Sequence, residues 1–264
     1  YEKEAFRMAG LSQPSLRWTW KEMEQYLAAL DEAQIYSSTW RQYLFFDGGR
    51  DALFSYAYNW RNPCPDAIPA DCHQPIPPEN AAAALGWYRQ MVAQPHYMAD
   101  VVSLSPEERA QSPYRLWAAI RVDEPVFYEH WSQVTGPLGV VPFPGSERFD
   151  GVTPLWVEGA FISQHSAHPH AVWEWLKFLS YQAPSPRFRL IPARPSIAQQ
   201  TNYWNALPRP LSEAMRAAFP FARPVTLADQ VYFSWDQLTA VLTNQLTPTE
   251  AARRPTPITW FTAP

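Results

Sequence analysis

Three times the chain writes a helix start in the same local code, which commits much of it to well-punctuated helices. Thr19 is followed three residues later by Glu22, Ser105 by Glu108 and Thr247 by Glu250. In such a capping box the hydroxyl accepts from a backbone N–H of the first turn while the carboxylate reaches back to the cap. Pro106 and Pro248 occupy the first helical position, where a missing N–H costs nothing. After Thr19, residues Trp20, Met23, Leu27 and Leu30 recur at helical spacing. Pro78 precedes a run whose apolar positions continue through Tyr88 and Val92, and Pro169 opens a segment in which Val172, Trp175, Leu176 and Leu179 share a face. Val231, Trp235, Leu238 and Leu242 define one more. Strand signals are fewer and short: residues 116–122, 138–142, and 155–157 running on through 160–162. Short strands separated by long helical stretches predict an α/β fold with a mainly parallel or mixed sheet. Gly48-Gly49, after Phe45-Phe46-Asp47, reads as a turn, and no repeat or glycine-rich phosphate loop appears.

Composition narrows the partners. Hydrophobic residues at 47% and charged residues at 17% describe a chain that folds. The net charge of −4 comes without a basic stripe, which argues against nucleic acid. No stretch approaches the ~20 apolar residues that would span a bilayer. Aromatics reach 15%, with 13 Trp and 13 Tyr. Their flat faces suit the apolar faces of pyranose rings and their polar tips a wet site, although most such rings belong to cores.

Cys64 and Cys72, the two cysteines, lie in one proline-rich stretch and read as a local disulfide, hence an oxidising compartment. Two free thiols and a metal site with His73 as third ligand are the alternatives, the latter disfavoured because zinc wants four ligands at tighter spacing. His165, His168 and His170 are loosely spaced around Pro169 and read as a solvated helix start, so no metal is expected there. The chain opens on Tyr1-Glu2-Lys3-Glu4, with neither initiator Met nor signal segment, as if its beginning lay elsewhere.

Read in order, seven segments resemble the maltose-binding type of extracellular solute-binding proteins of ABC sugar transporters. The opening through Ala9-Gly10-Leu11 to Trp18-Thr19-Trp20-Lys21-Glu22 falls into two of them, the entry to that family's C-terminal lobe and its "P-x-T-W-E-E". Glu79 to Val92 is similar to the helix ending "WYxxMV", and Tyr114 to Val122 to the "G-x-A-A-M" strand, without its Gly and Met. Gly139-Val140-Val141-Pro142-Phe143-Pro144 resembles "G-x-x-P-x-P". Gly159 to Ser180, with His168-Pro169, is similar to "G-x-x-I-S…HPEAAWEFLKFLS", and Ile191 to Ser196 to "LPARKS". The tail Arg253-Arg254-Pro255 departs from the pattern, since Pro stops the helix that usually continues there.

The resemblance implies a type II periplasmic-binding-protein-like α/β fold, mainly the helix-rich C-terminal lobe with a remnant of the N-terminal lobe. Residues 1–157 would form the first part of the C-terminal lobe, 158–203 the remnant and hinge, and 204–264 the closing helices. It implies an extracytoplasmic component (periplasmic, or a cell-surface lipoprotein) that is a monomer without a cofactor. Its partners would be a sugar or oligosaccharide and the membrane subunits of an ABC permease. Carried onto this sequence, the ligand-facing positions are Trp40; Asp123, Glu124, Phe127 and Tyr128 after the "AAM" strand; Trp156 and Glu158 beside the hinge; and Tyr232 and Trp235 at a helix start. For each ring the competing role is core packing. Asp123 and Glu124 do not suit a glycosidase pair, because neighbours on a strand point to opposite faces, so no catalytic residue is expected. A glycoside-acting enzyme, or a sensor reusing the fold, are the other functions considered.

Overall fold

A computed structural model describes residues 1–35, 43–47, 50–61, 64, 74–94, 97–99, 118–123, 125–147, 151–157, 159–182 and 190–254. Trp40, Cys72, His73, the helix start at Ser105, Glu124 and Glu158 lie outside them. In chain order come α1 (Lys3–Met8), α2 (Trp20–Glu32), β1 (Tyr43–Asp47), α3 (Asp51–Trp60), α4 (Pro78–Val92), β2 (Tyr97–Ala99) and β3 (Ala118–Val122). A 3-10 turn, Pro125–Phe127, leads into α5 (Tyr128–Thr135), followed by β4 (Thr153–Leu155), α6 (Pro169–Leu179), α7 (Pro195–Gln200) and α8 (Tyr203–Ala206). The remainder is α9 (Arg209–Ala218), β5 (Ala222–Pro224), α10 (Leu227–Gln230), α11 (Trp235–Leu242) and α12 (Pro248–Arg253).

The capping boxes at α2 and α12 form as written. The Glu22 N–H donates to Thr19 Oγ1 at 3.1 Å and the Thr19 N–H to Glu22 Oε2 at 2.7 Å. At α12 the equivalent distances are 3.2 and 2.9 Å. A third box, not anticipated, starts α10 with Thr226 and Asp229. Residues 231–242 are not one helix: a 3-10 turn, Val231–Phe233, ends at Ser234, which caps α11 by accepting from the Gln237 N–H.

Strands β2, β1 and β3 form a parallel sheet with β1 central, Phe45 lying opposite Tyr97 on one side and Ile120 on the other. Leu44, Phe45, Phe46 and Asp47 are all buried. A parallel strand covered on both faces shows a continuous apolar run instead of alternation. Residues 138–142, expected as a strand, contribute one bridge, Glu2 to Leu138. Gly139 is needed there because the Tyr1 ring fills the space where a Cβ would sit. The strand expected at 155–157 and 160–162 lies earlier, at β4, and shares only Leu155 with it, where the pairing to three-residue β5 ends.

Helices α1 to α4, α11 and α12 pack against β1 and β3 in one core that includes Phe6, Leu27, Phe45, Phe54, Leu85 and Leu238. Each such side chain contributes about 1.5–3 kcal/mol on burial. A smaller cluster gathers Ala198, Tyr203, Leu207 and Leu211, with Tyr128 packed against it. Helix α6 has no buried residue: Trp173, Trp175, Phe178 and Leu179 are all exposed. Cys64 is disulfide-bonded. Among the described residues no helix is long and apolar enough to cross a membrane.

Candidate functional site

Parallel sheets direct their carboxyl ends, and the helix N-termini that follow, toward one edge, where α/β proteins hold ligands. Here β1 leads through Gly48-Gly49 to Arg50 and Asp51 at the start of α3, and β3 leads to Asp123. Arg50 and Asp51 each hold one of the expected aromatics. The Trp156 indole Nε1–H donates to Asp51 Oδ1 at 2.7 Å. The Arg50 guanidinium lies 4.8 Å from the centroid of the Trp235 ring, and its Nη1 donates to the Phe233 carbonyl at 2.5 Å. Phe54, one turn into α3 and fully buried, meets Trp156 edge-on at 5.6 Å and Phe233 edge-on at 4.9 Å. Trp156 is 43% exposed and Trp235 46%, so each offers about half its surface to a ligand.

The segment carrying Trp156 is clamped onto α3. Ser55 Oγ donates to the Val152 carbonyl at 2.7 Å, and the Val152 N–H donates to Asn59 Oδ1 at 3.3 Å. Past the other strand of the pair, on α10, buried Asp229 accepts from the Ile76 N–H at 2.7 Å, from Thr226 Oγ1 at 2.7 Å and from the Tyr58 hydroxyl at 3.2 Å. Arg223 of β5 reaches Asp229 at 4.0 Å and lies over the Tyr58 ring at 4.1 Å.

The charges are close-set. Arg121 Nη2 donates to Asp123 Oδ2 at 2.9 Å. Burial pushes the Asp51 carboxyl above the usual range; the Trp156 hydrogen bond and Arg50 pull it down, and Asp123 pushes it up again. Burial likewise works against the Arg50 charge.

Of the expected residues, Trp156, Trp235 and Asp123 thus come together around α3. Phe127 is exposed on the turn after β3. Tyr128 packs on the smaller cluster, where burial raises its hydroxyl pKa. Tyr232, in the 3-10 turn before α11, is partly buried against the main core. Trp40, Glu124 and Glu158 lie outside the described residues. Sequence reasoning missed Arg50 and Asp51. The one local signal, a Gly-Gly pair between an apolar run and an acidic helix start, marks a turn and not a site. His165, His168 and His170 form no metal-binding group with other ligand types among the described residues.

No protein-family model matches the chain. No curated protein sequence matches it either. Solved structures do. The GacH receptor of Streptomyces glaucescens, studied unliganded and with acarbose, superposes with a TM-score of 0.65 at 18% identity over 96% of this chain and 65% of its own. The ABC substrate-binding protein Lmo0181 from Listeria monocytogenes, in complex with cycloalternan, gives 0.59 at 16% identity, covering 96% and 66%. The maltose-maltodextrin binding protein of Alicyclobacillus acidocaldarius gives 0.56 at 17% identity, again over 96% and 66%. The chain therefore has the type II periplasmic-binding-protein fold, over about two thirds of the length of the solved structures that share it.

Proposed function

We propose that this chain is the greater part of a carbohydrate-binding component of an ABC transporter, one that binds a sugar or oligosaccharide and does not transform it. The observation that carries the reading is the pair of half-exposed rings, Trp156 and Trp235, held on consecutive residues Asp51 and Arg50 at the carboxyl edge of the sheet. Rings held by a hydrogen bond and a cation lose little freedom on stacking against a pyranose, and Asp51, Asp123 and Arg50 supply directional polar contacts. The solved structures of this fold with acarbose and cycloalternan support the ligand class.

In this reading residues 1–157 and 204–264 form one lobe, and 158–203 belong to a second. The bare apolar surface of α6 and the 65–66% coverage of the matched structures support the division. The sugar lies between two walls, and closure on it signals to permease subunits outside the cytoplasm. The disulfide at Cys64 supports an oxidising compartment.

The test is a titration of the ¹⁵N-tryptophan-labelled chain with maltotetraose. The Trp156 and Trp235 indole signals are expected to shift saturably at millimolar sugar, because one wall alone forfeits roughly half the contacts. Trp235→Ala and Trp156→Ala should each weaken the response about tenfold, worth ~1.4 kcal/mol. Undiminished binding in both variants would discard the site. Release of shorter sugars during the titration would replace binding with hydrolysis by the Asp51 and Asp123 carboxylates.

Asp51 makes a second prediction. Its folded pKa lies above its unfolded value, so the ionised carboxylate penalises the folded state at pH values above the folded pKa. The penalty shrinks as pH falls from there and is gone below the ordinary carboxylate range. Asp51→Asn is therefore expected to raise Tm at pH 7, with the gain closing toward acid, as befits a site kept polar at some expense of stability. A gain that grows on acidification would contradict this assignment.

A further inference from the structure

The opposite end of α3 holds a second aromatic site. Helix α3 has ten residues, so its C-terminal Trp60 lies about 14 Å along the axis from Asp51. There a cavity of about 570 Å³ opens between the start of α2, the end of α3 and the turn at Gly145, within the ~300–1,000 Å³ usual for small-molecule sites. Tyr56 and Trp60 form its aromatic wall and, with Trp87 behind them, a ladder of near-parallel rings. Trp87 stacks on Tyr56 with centroids 4.5 Å apart and planes at 13°, and Tyr56 stacks on Trp60 at 5.8 Å and 25°. Trp20 meets both Tyr56 and Trp87 edge-on, at 5.2 and 4.9 Å. Trp60 is the open end of the ladder, 50% exposed yet held in place by the rings behind it.

Two polar features set the ligand's chemistry. Trp20 lines the cavity, and its buried indole N–H has no hydrogen-bond partner among the described residues. Such a donor is an unmet penalty that a ligand oxygen would relieve. The charged residues around the cavity balance: Lys21 and Arg61 against Glu24 and Glu147, with Lys21 and Glu147 3.5 Å apart. Glu24 already accepts from the Trp87 indole N–H at 3.1 Å and retains lone pairs for a hydroxyl donor. Balanced charge disfavours anionic or cationic ligands. A flat apolar face beside both donors and acceptors matches a neutral ring bearing hydroxyl groups.

We propose that the cavity between α2 and the end of α3 is a second carbohydrate site, taking a pyranose stacked on Trp60 with its hydroxyl oxygens toward Trp20 and Glu24. It goes beyond the function proposed above and does not depend on the site at Arg50 and Asp51. Burial and Glu24 push the Tyr56 hydroxyl up to about 12, so it remains a donor at neutral pH in the same wall.

The experiment uses the ¹⁵N-tryptophan-labelled chain with maltotetraose, cellotetraose and xylotetraose, each raised to tens of millimolar. The Trp60 and Trp20 indole signals, assigned by Trp60→Phe and Trp20→Phe, are expected to shift saturably with at least one sugar, the Trp20 signal downfield as its N–H gains an acceptor. Trp60→Ala should raise the half-saturation concentration about tenfold, and Trp60→Phe, which keeps a ring, by no more than about threefold. Unchanged Trp156 and Trp235 signals in each variant show that the fold is intact. Shifts confined to Trp156 and Trp235 would overturn the second site and leave the proposed function standing. Shifts confined to Trp60 and Trp20 would establish the second site and remove the first. No response of Trp60 and Trp20 to any of the three sugars would also overturn it.

Discussion

Replacing Asp229 with Ala is expected to lower folding stability by about 3–5 kcal/mol, the usual consequence of removing one partner from a buried charged cluster. The carboxylate is fully buried and gathers donors from three separate parts of the chain: the Ile76 N–H, the Tyr58 hydroxyl and both the N–H and hydroxyl of Thr226. Arg223, nearly as buried, keeps its stacking on Tyr58 and its hydrogen bond to the Gln74 carbonyl, but loses its counter-charge. Donors stranded without acceptors are what make the loss large. At roughly 2–4 °C per kcal/mol for a chain near this size, thermal melting should fall by about 10 °C. Asp229→Asn, which keeps one acceptor oxygen, should fall between the two. A loss under about 1 kcal/mol in the Ala variant would mean that water replaces the carboxylate and that the cluster does not hold β5 to α3 and the segment before α4.

The second large effect is expected at Phe54. A fully buried Phe cut to Ala costs about 3–5 kcal/mol, from lost transfer energy and the cavity left behind. This ring also carries the site, meeting Trp156 and Phe233 edge-on. Phe54→Leu keeps most of the volume and should cost under about 1.5 kcal/mol. It removes both edge-to-face contacts, so the Trp156 indole signal should broaden or move even in a stable protein. Chemical denaturation measures the first effect and the Trp156 signal the second. Full stability in the Ala variant, or an unmoved Trp156 in the Leu variant, would separate the core from the site and refute this reading of Phe54.

What the sequence revealed follows how local each signal is. The α2 and α12 capping boxes were legible because four consecutive residues hold the whole interaction. Pro78 and Pro169 marked α4 and α6 for the same reason. Strand β1 escaped because its run of apolar residues has no alternation, and what makes it a strand is two parallel neighbours far along the chain. Residues 138–142 failed as a strand for the converse reason: apolar content without a partner ladder. Trp156 and Trp235 could be nominated from resemblance, but Arg50 and Asp51, which hold them, could not. Their role depends on where β1 ends relative to β3, a non-local fact that a Gly-Gly pair does not disclose. The 3-10 turn at Val231–Phe233 is equally non-local in its effect: Tyr232 packs partly buried against the main core, while Trp235, three residues on, stays half-exposed.

Helix α6 carries one more consequence. It spans eleven residues and buries none of them, and its ring contact Trp175–Phe178, at 5.5 Å, is internal to the helix. An isolated helix of that length is marginal in water, because nucleation is costly and tertiary burial normally supplies the balance. With only Val172 and Leu176 half-buried and a side-chain hydrogen bond from Arg194 to its capping Ser180, α6 is expected to be loosely coupled to the unfolding of the core. Its amides are expected to open by local fluctuation at a small fraction of the global free energy, so hydrogen exchange should find α4 well protected and α6 poorly so. A melting temperature of this chain is expected to report the cluster around Phe54 and Leu85 and to be little moved by substitutions on the exposed face of α6.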